Sequence, residues 1–165
     1  AVLDGGRSAR FSRELVRGQQ VASAASAGYS ASGKYDTLFM VDANPADGKS
    51  VADVEKALEE QLERVKTELV SDAELHRIKA SVIAGQVYQR DSIQNQANQI
   101  GQLEALGLGW GLVEQYPDRV QAITAEQVRD VARKYLIKKH RTVGILDPQA
   151  IDTTNDKQDA EGVVQ

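Results

Sequence analysis

The sequence contains no cysteine, which excludes a disulfide framework and any zinc site built on thiolates. That absence suits the cytosol and the periplasm equally. Histidine is almost as scarce: His76 and His140 are the only two, and they stand far apart. Neither HExxH nor its inverse HxxEH can therefore be formed. A Ser-His-Asp triad would have to recruit one of these two, and no G-x-S-x-G turn presents a serine to it. Glycine-rich phosphate loops are missing too. Gly107, Gly109 and Gly111 fit neither GxxxxGK[ST] nor GxGxxG, and read as helix breakers. No apolar run approaches the roughly 18 residues of a membrane span. The opening residues, AVLDGGRSARF, lack both the charged and the apolar region of a signal peptide. With no initiator methionine either, the chain reads as a piece from inside a longer protein.

What is present is ordinary for a single globular domain. The chain has 165 residues, 41% of them hydrophobic and 27% charged, enough for one real core. Lysine and arginine total 20 against 24 acidic residues, a net charge of -4. With no basic excess, neither nucleic acid nor an anionic membrane is an expected partner. The densest basic run, Lys138-Lys139-His140-Arg141, reads as a solvated entry to a strand. Acidic pairs such as Glu59-Glu60 read as a solvated helix face.

Periodicity divides the chain into elements. Gly5 and Gly6 lead into a helix that starts at Arg7 or Ser8, carries Phe11, Leu15 and Val16, and ends near Gly18. Val21–Ala31 alternates small residues and reads as a strand, with Val21, Ser23, Ala25, Ala27 and Tyr29 on one face. A turn at Ser32-Gly33-Lys34 makes it a hairpin with Tyr35–Ala43, whose two apolar faces predict a central strand. Ser50 caps a helix striped by Val51, Val54, Leu58, Leu62, Val65 and Leu69. A capping box at Ser71 and Glu74 opens a long helix to about Leu106, with a polar, kinked or wet stretch from Gln89 to Gln99. A short helix through Leu112 and Val113 follows, then another with Pro117 in its first turn, up to Ile123. A second box, Thr124 and Gln127, begins a helix with Val128, Val131, Ala132, Tyr135 and Leu136. Thr142–Leu146 is predicted to rejoin the sheet as a last strand. Residues 1–147 form the predicted domain, and 148–165 a polar, mobile tail. The fold class is α+β, with helices packed on one face of a mainly antiparallel sheet.

Three segments together resemble the pitrilysin/insulinase-type zinc metallopeptidases. In LDGGRSARFSRELVRGQQVASAASAGY, the residues Gly5, Gly6, Ala9, Arg10, Phe11 and Leu15 fall on the family's glycine-pair, helix and small-residue-strand pattern. In LVSDAELHRIKASVIAG, the residues Val70, Ser71, Glu74, Leu75, Ile78 and Lys79 match a helix start. In PDRVQAITAEQVRDVARKYL, the residues Ile123, Thr124, Val128, Ala132, Tyr135 and Leu136 match the late ITxxxVxxxAxxYL element.

The resemblance implies the non-catalytic, C-terminal kind of domain, starting after the family's first strands and helix. Its partner would be a homologous N-terminal peptidase domain, or a partner chain, bearing HxxEH and the zinc. This domain itself then has no catalytic residue, no metal and no cofactor of its own. Together the two would enclose an extended peptide substrate. Many members clamp substrate with an arginine and a tyrosine in an L-R-x-x-x-G-x-x-Y pattern. Aligned on Leu15, those positions hold Val16 and Ser23, with Gln20 in place of the glycine. Arg17, one residue off register, and Tyr29, about 20 Å further along the strand at ~3.3 Å per residue, are the remaining candidate substrate contacts. The missing pair favours an alternative, a catalytically dead scaffold or dimerisation module of the same fold. Bacterial relatives of this type are often exported, so the periplasm is the expected compartment and the cytoplasm the alternative.

Overall fold

A computed structural model describes residues 1–149. It contains a π-helical segment, a β-hairpin and five α-helices. The π-helical segment, Phe11–Gly18, closes with Gln19 N–H donating to the Glu14 carbonyl five residues back. Its wide turn sends Phe11 and Leu15 fully inward. Strand β1 is Ala22–Tyr29 and strand β2 is Phe39–Pro45, paired antiparallel with Ala25 opposite Ala43 and Ala27 opposite Val41. Helices α1 (Val51–Thr67), α2 (Asp72–Gln89), α3 (Ile93–Ala105), α4 (Leu112–Gln121) and α5 (Ala125–Tyr135) follow in order.

The α+β class holds, but the sheet has two strands among the described residues. Its inner face carries Ala25, Ala27, Val41 and Ala43 against a core of Leu3, Phe11, Leu15, Val21, Ala22, Val54, Ala57, Val65 and Ala132. Those core residues come from the N-terminal segment, the π-helical segment, β1, α1 and α5. None comes from α2, α3 or α4, which pack on one another as a separate arm.

The helix caps agree with the sequence reading at α1 and α5. Ser50 and Asp53 form a reciprocal box, as do Thr124 and Gln127. At α2 only half of the predicted box exists. Ser71 Oγ accepts from the Glu74 backbone N–H at 3.3 Å. The Glu74 carboxylate does not return to Ser71, because Arg10 holds it in a bidentate pair, Nε to Oε1 at 3.0 Å and Nη2 to Oε2 at 2.9 Å. The side chains are 4% and 11% exposed, so the pair is nearly dry.

Other expectations are corrected. A bulge between Ala22 and Ala24 reverses the parity of β1, so Ala22 is buried while Ser23 faces solvent. The tight turn is instead a loop from Ser30 to Leu38, closed by Thr37 Oγ1 donating to the Ser30 carbonyl at 2.8 Å. Strand β2 therefore starts later than predicted, and it is not central: Met40 is 53% exposed. The long helix breaks at Arg90–Ser92, where Ser92 accepts from Asn95 N–H and caps α3. Conversely, the break predicted before Pro117 is absent, and α4 runs through that proline without the backbone bond it would donate. At the end of α3 the N–H of Leu108 reaches the Leu103 carbonyl and that of Gly107 the Glu104 carbonyl. This closure needs the positive φ of 72° that Gly107 supplies. Thr142–Leu146 takes no regular secondary structure and joins no sheet among the described residues. Its entry is held at α1, where Arg141 pairs with Glu55 and Glu59, away from any strand partner. Of the predicted tail, residues 150–165 lie outside the described residues.

Glu74→Gln leaves Arg10 buried without its counter-charge, and is expected to cost about 3 kcal/mol of stability, read as a lower urea midpoint. The Arg10 hydrogen bonds hold the Glu74 carboxyl below its ordinary pKa, against the opposing effect of burial. The stability it contributes is thus complete above the unfolded-state pKa of about 4.3, and is lost as pH falls through the lower folded value. The difference between wild type and Glu74→Gln should shrink in acid; a difference unchanged down to about pH 3 would refute the ion-pair account.

Candidate functional site

The positions singled out for substrate contact lie where the π-helical segment turns into β1. Val16 is half-buried on that segment. Ser23 occupies the bulge, and its hydroxyl donates to the Asn44 carbonyl at 3.3 Å across the hairpin. Neither can supply a cation or a phenol to a peptide. Arg17 is exposed, but its guanidinium donates to the backbone carbonyls of Ser12 and Arg7 and staples the segment to the preceding turn. Tyr29 stands at the far end of β1, opposite Phe39, and is 62% exposed. The structure does not bring Arg17 and Tyr29 together: β1 separates them.

Gln20 is the most informative residue at this junction. Its φ is 51°, the left-handed region that a side chain disfavours by roughly 1–2 kcal/mol. The backbone here has a shape that glycine would adopt freely. Immediately afterwards Val21 N–H donates to the Leu15 carbonyl, and Val21 and Ala22 are buried. The turn is therefore enforced by the core on both sides.

The two histidines stand apart. His76 lies exposed on α2 and His140 exposed in a single 3₁₀ turn, Lys138–His140. Among the described residues no three of His, Asp and Glu cluster as metal ligands would. These side chains do not fit a zinc centre, and no metal-dependent step can be derived for them. No helix among the described residues is long and apolar enough to cross a membrane.

Two concavities among the described residues adjoin these elements. The smaller, about 350 Å³, lies between Val21 and the start of α1 and mixes Lys49 and Lys56 with Asp53 and Glu60. The larger, about 580 Å³, lies between the glycine-pair turn and α2, closed at one side by Tyr116 of α4. No motif signalled the larger cleft. Arg10, which anchors α2 beside it, was legible only as a pattern match; a guanidinium between buried Ala9 and Phe11 was the hint that it needed a carboxylate.

Gln20→Gly should relieve the left-handed strain and raise stability by about 1 kcal/mol, net of glycine's greater unfolded-state freedom. Thermal unfolding of the variant measures this directly, and a lower melting temperature would show that the Gln20 side chain is itself stabilising.

The architecture is shared with solved proteins. A protease from Helicobacter pylori superposes with a TM-score of 0.77 at 19% identity, over 84% of this chain and 33% of its own. This chain therefore spans about a third of that protein. A protein assigned as a zinc protease from Bordetella pertussis Tohama I gives a TM-score of 0.74 at 23% identity, over 90% of this chain and 81% of its own. The inactive peptidase domain of a protein assigned as a zinc protease from Bordetella parapertussis gives 0.74 at 21% identity, over 92% and 81%. Identities this low speak for the fold alone. Comparison with curated proteins gives no match. Residues 1–82 match the family described as the peptidase M16 inactive domain, and through them the chain belongs to that family.

Proposed function

We propose that this chain is the non-catalytic domain of a zinc protease, pairing with a homologous HxxEH-bearing zinc domain to enclose an extended peptide. The observation that carries the reading is the match of residues 1–82 to the inactive peptidase domain. It is supported by structural neighbours that include one assigned as such a domain. The zinc and the water-activating carboxylate belong to the partner domain. This chain contributes a wall and the β2 edge of its hairpin, where an extended peptide finds unpaired backbone groups. The bacterial periplasm is the proposed compartment, with the cytoplasm as the alternative.

A second reading has its own support. Val16 and Ser23 occupy the places of the substrate-clamping arginine and tyrosine, and Arg17 is committed to backbone carbonyls. A domain without the clamp suits a scaffold or dimerisation module that has given up peptidase work.

Metal analysis and hydrolysis of an unstructured fluorogenic peptide separate the two. The chain alone should hold no stoichiometric zinc and cleave nothing. Mixed with its HxxEH-bearing partner domain, it should give about one zinc per pair and peptide cleavage that requires both halves. Association without cleavage would support the scaffold, and zinc with cleavage in this chain alone would overturn both.

A further inference from the structure

The larger cleft is cationic by construction. Its wall includes Arg7, Ser8, Arg77, Ser81, Gln89 and Tyr116, and no aspartate or glutamate. Elsewhere in the fold the guanidinium groups find acceptors: Arg10 takes Glu74, Arg64 takes Glu68, Arg129 takes Asp130, Arg133 takes the Lys66 carbonyl and Arg141 takes Glu55 and Glu59. Arg13, Arg17 and Arg119 are likewise bonded. Among the described residues, only Arg7, Arg77 and Arg90 lack a carboxylate, carbonyl or amide acceptor, and two of these three line this one cleft.

The nearest carboxylate along the helix acts on Arg77 only through space and forms no hydrogen bond to it. Glu74, one turn before Arg77, has both oxygens engaged by Arg10. That bidentate pair also fixes the first turn of α2 against the π-helical segment, so the cleft's two walls are held by a buried contact. The rim is shaped by the glycine pair. A Cβ on Gly5 would come within 2.7 Å of the Ala1 carbonyl oxygen, and Gly6 sits at a φ of 109° that other residues rarely adopt.

We propose that this cleft is a binding site for a small doubly charged oxyanion, a dicarboxylate or a phosphate. Two unpaired guanidinium forks match such an anion in charge and in planar hydrogen-bond geometry. The hydroxyls of Ser8, Ser81 and Tyr116 and the Gln89 amide add neutral donors along the wall. A space of about 580 Å³ is of the size that takes a small molecule. The site is independent of the peptidase reading, since it uses neither the clamp positions nor the hairpin edges.

The test is titration of the full chain with sodium succinate and, separately, with inorganic phosphate at constant ionic strength, followed by amide chemical shifts. Saturable shifts confined to residues 5–9 and to α2 around Arg77 are expected with at least one of the two anions. The anion that binds tells a dicarboxylate site from a phosphate site. Arg77→Ala should weaken binding ~10-fold or more, the effect of losing one charge-assisted contact. Arg7→Ala should do the same, while Lys138→Ala, in the distant basic turn, should leave it unchanged. Arg77 is exposed, so an unaltered melting temperature would show that Arg77→Ala still folds. Absence of saturable shifts with both anions, or equal weakening by Lys138→Ala, would overturn the site.

Discussion

The Arg10–Glu74 pair is the contact on which the arrangement of the two halves depends. The apolar core joins the hairpin to the π-helical segment, α1 and α5, and contains nothing from α2, α3 or α4. The main apolar core therefore does not extend into the arm. The arm's near end is fixed by one charged, bidentate, almost dry contact at 2.9–3.0 Å. Such a pair is demanding: both groups lose hydration, and Arg10 Nη1 has no hydrogen-bond partner among the described residues. What it supplies is direction. A fork meeting a carboxylate works in one orientation, whereas a patch of alanine and valine would tolerate several.

The remaining ties to the arm are weaker and polar. Gln102 of α3 donates to Ser32 of the hairpin loop at 3.3 Å, both in exposed settings. Within the arm, Lys79 of α2 donates to the Gln121 carbonyl at the end of α4 at 2.7 Å, and Gln86 meets Gln99 across the helix break. Helices α3 and α4 each bury one apolar side chain, Leu103 and Val120. By contrast, α1 and α5 share the core and are further joined where Arg133 caps the Lys66 carbonyl at the end of α1.

How legible each part was follows from the range of the forces that shape it. Caps are local, so Ser50, Thr124 and the inward stripe of Val54 and Val65 were readable from the sequence alone. Glu74 looked like a cap for the same local reason, but a partner 64 residues away outcompeted the backbone for its carboxylate. The bulge in β1 was invisible because a run of alanine and serine carries almost no facial contrast to reveal a change of parity. Thr142–Leu146 has the alternation of a strand, yet a strand needs an edge to pair with, and the residue that leads into it, Arg141, is bonded to α1. At the candidate site, that positions 16 and 23 hold valine and serine, neither a cation nor a phenol, was readable from the sequence. The left-handed turn at Gln20 and the commitment of Arg17 to carbonyls required the backbone path.

A two-stranded sheet is marginal in isolation, and this one persists because of what backs it. On the inner face, the four small or branched side chains of Ala25, Ala27, Val41 and Ala43 let the helical layer approach closely. At the β1 edge, the Asp4 carboxylate accepts from the Ala27 backbone N–H at 3.1 Å, satisfying one of the groups a neighbouring strand would otherwise pair. The outer face has no comparable cover and leaves Met40 exposed, while Tyr29 and Phe39, paired on the inner side, stay exposed at the hairpin tip. The same junction that orders the N-terminal segment, with Phe11 N–H bonded to the Leu3 carbonyl and Asp4 turned onto β1, also positions the glycine pair that follows it. The hairpin's support and the shape of the cleft rim are therefore one constraint, imposed by residues 3 to 11 and locked to α2 through Arg10.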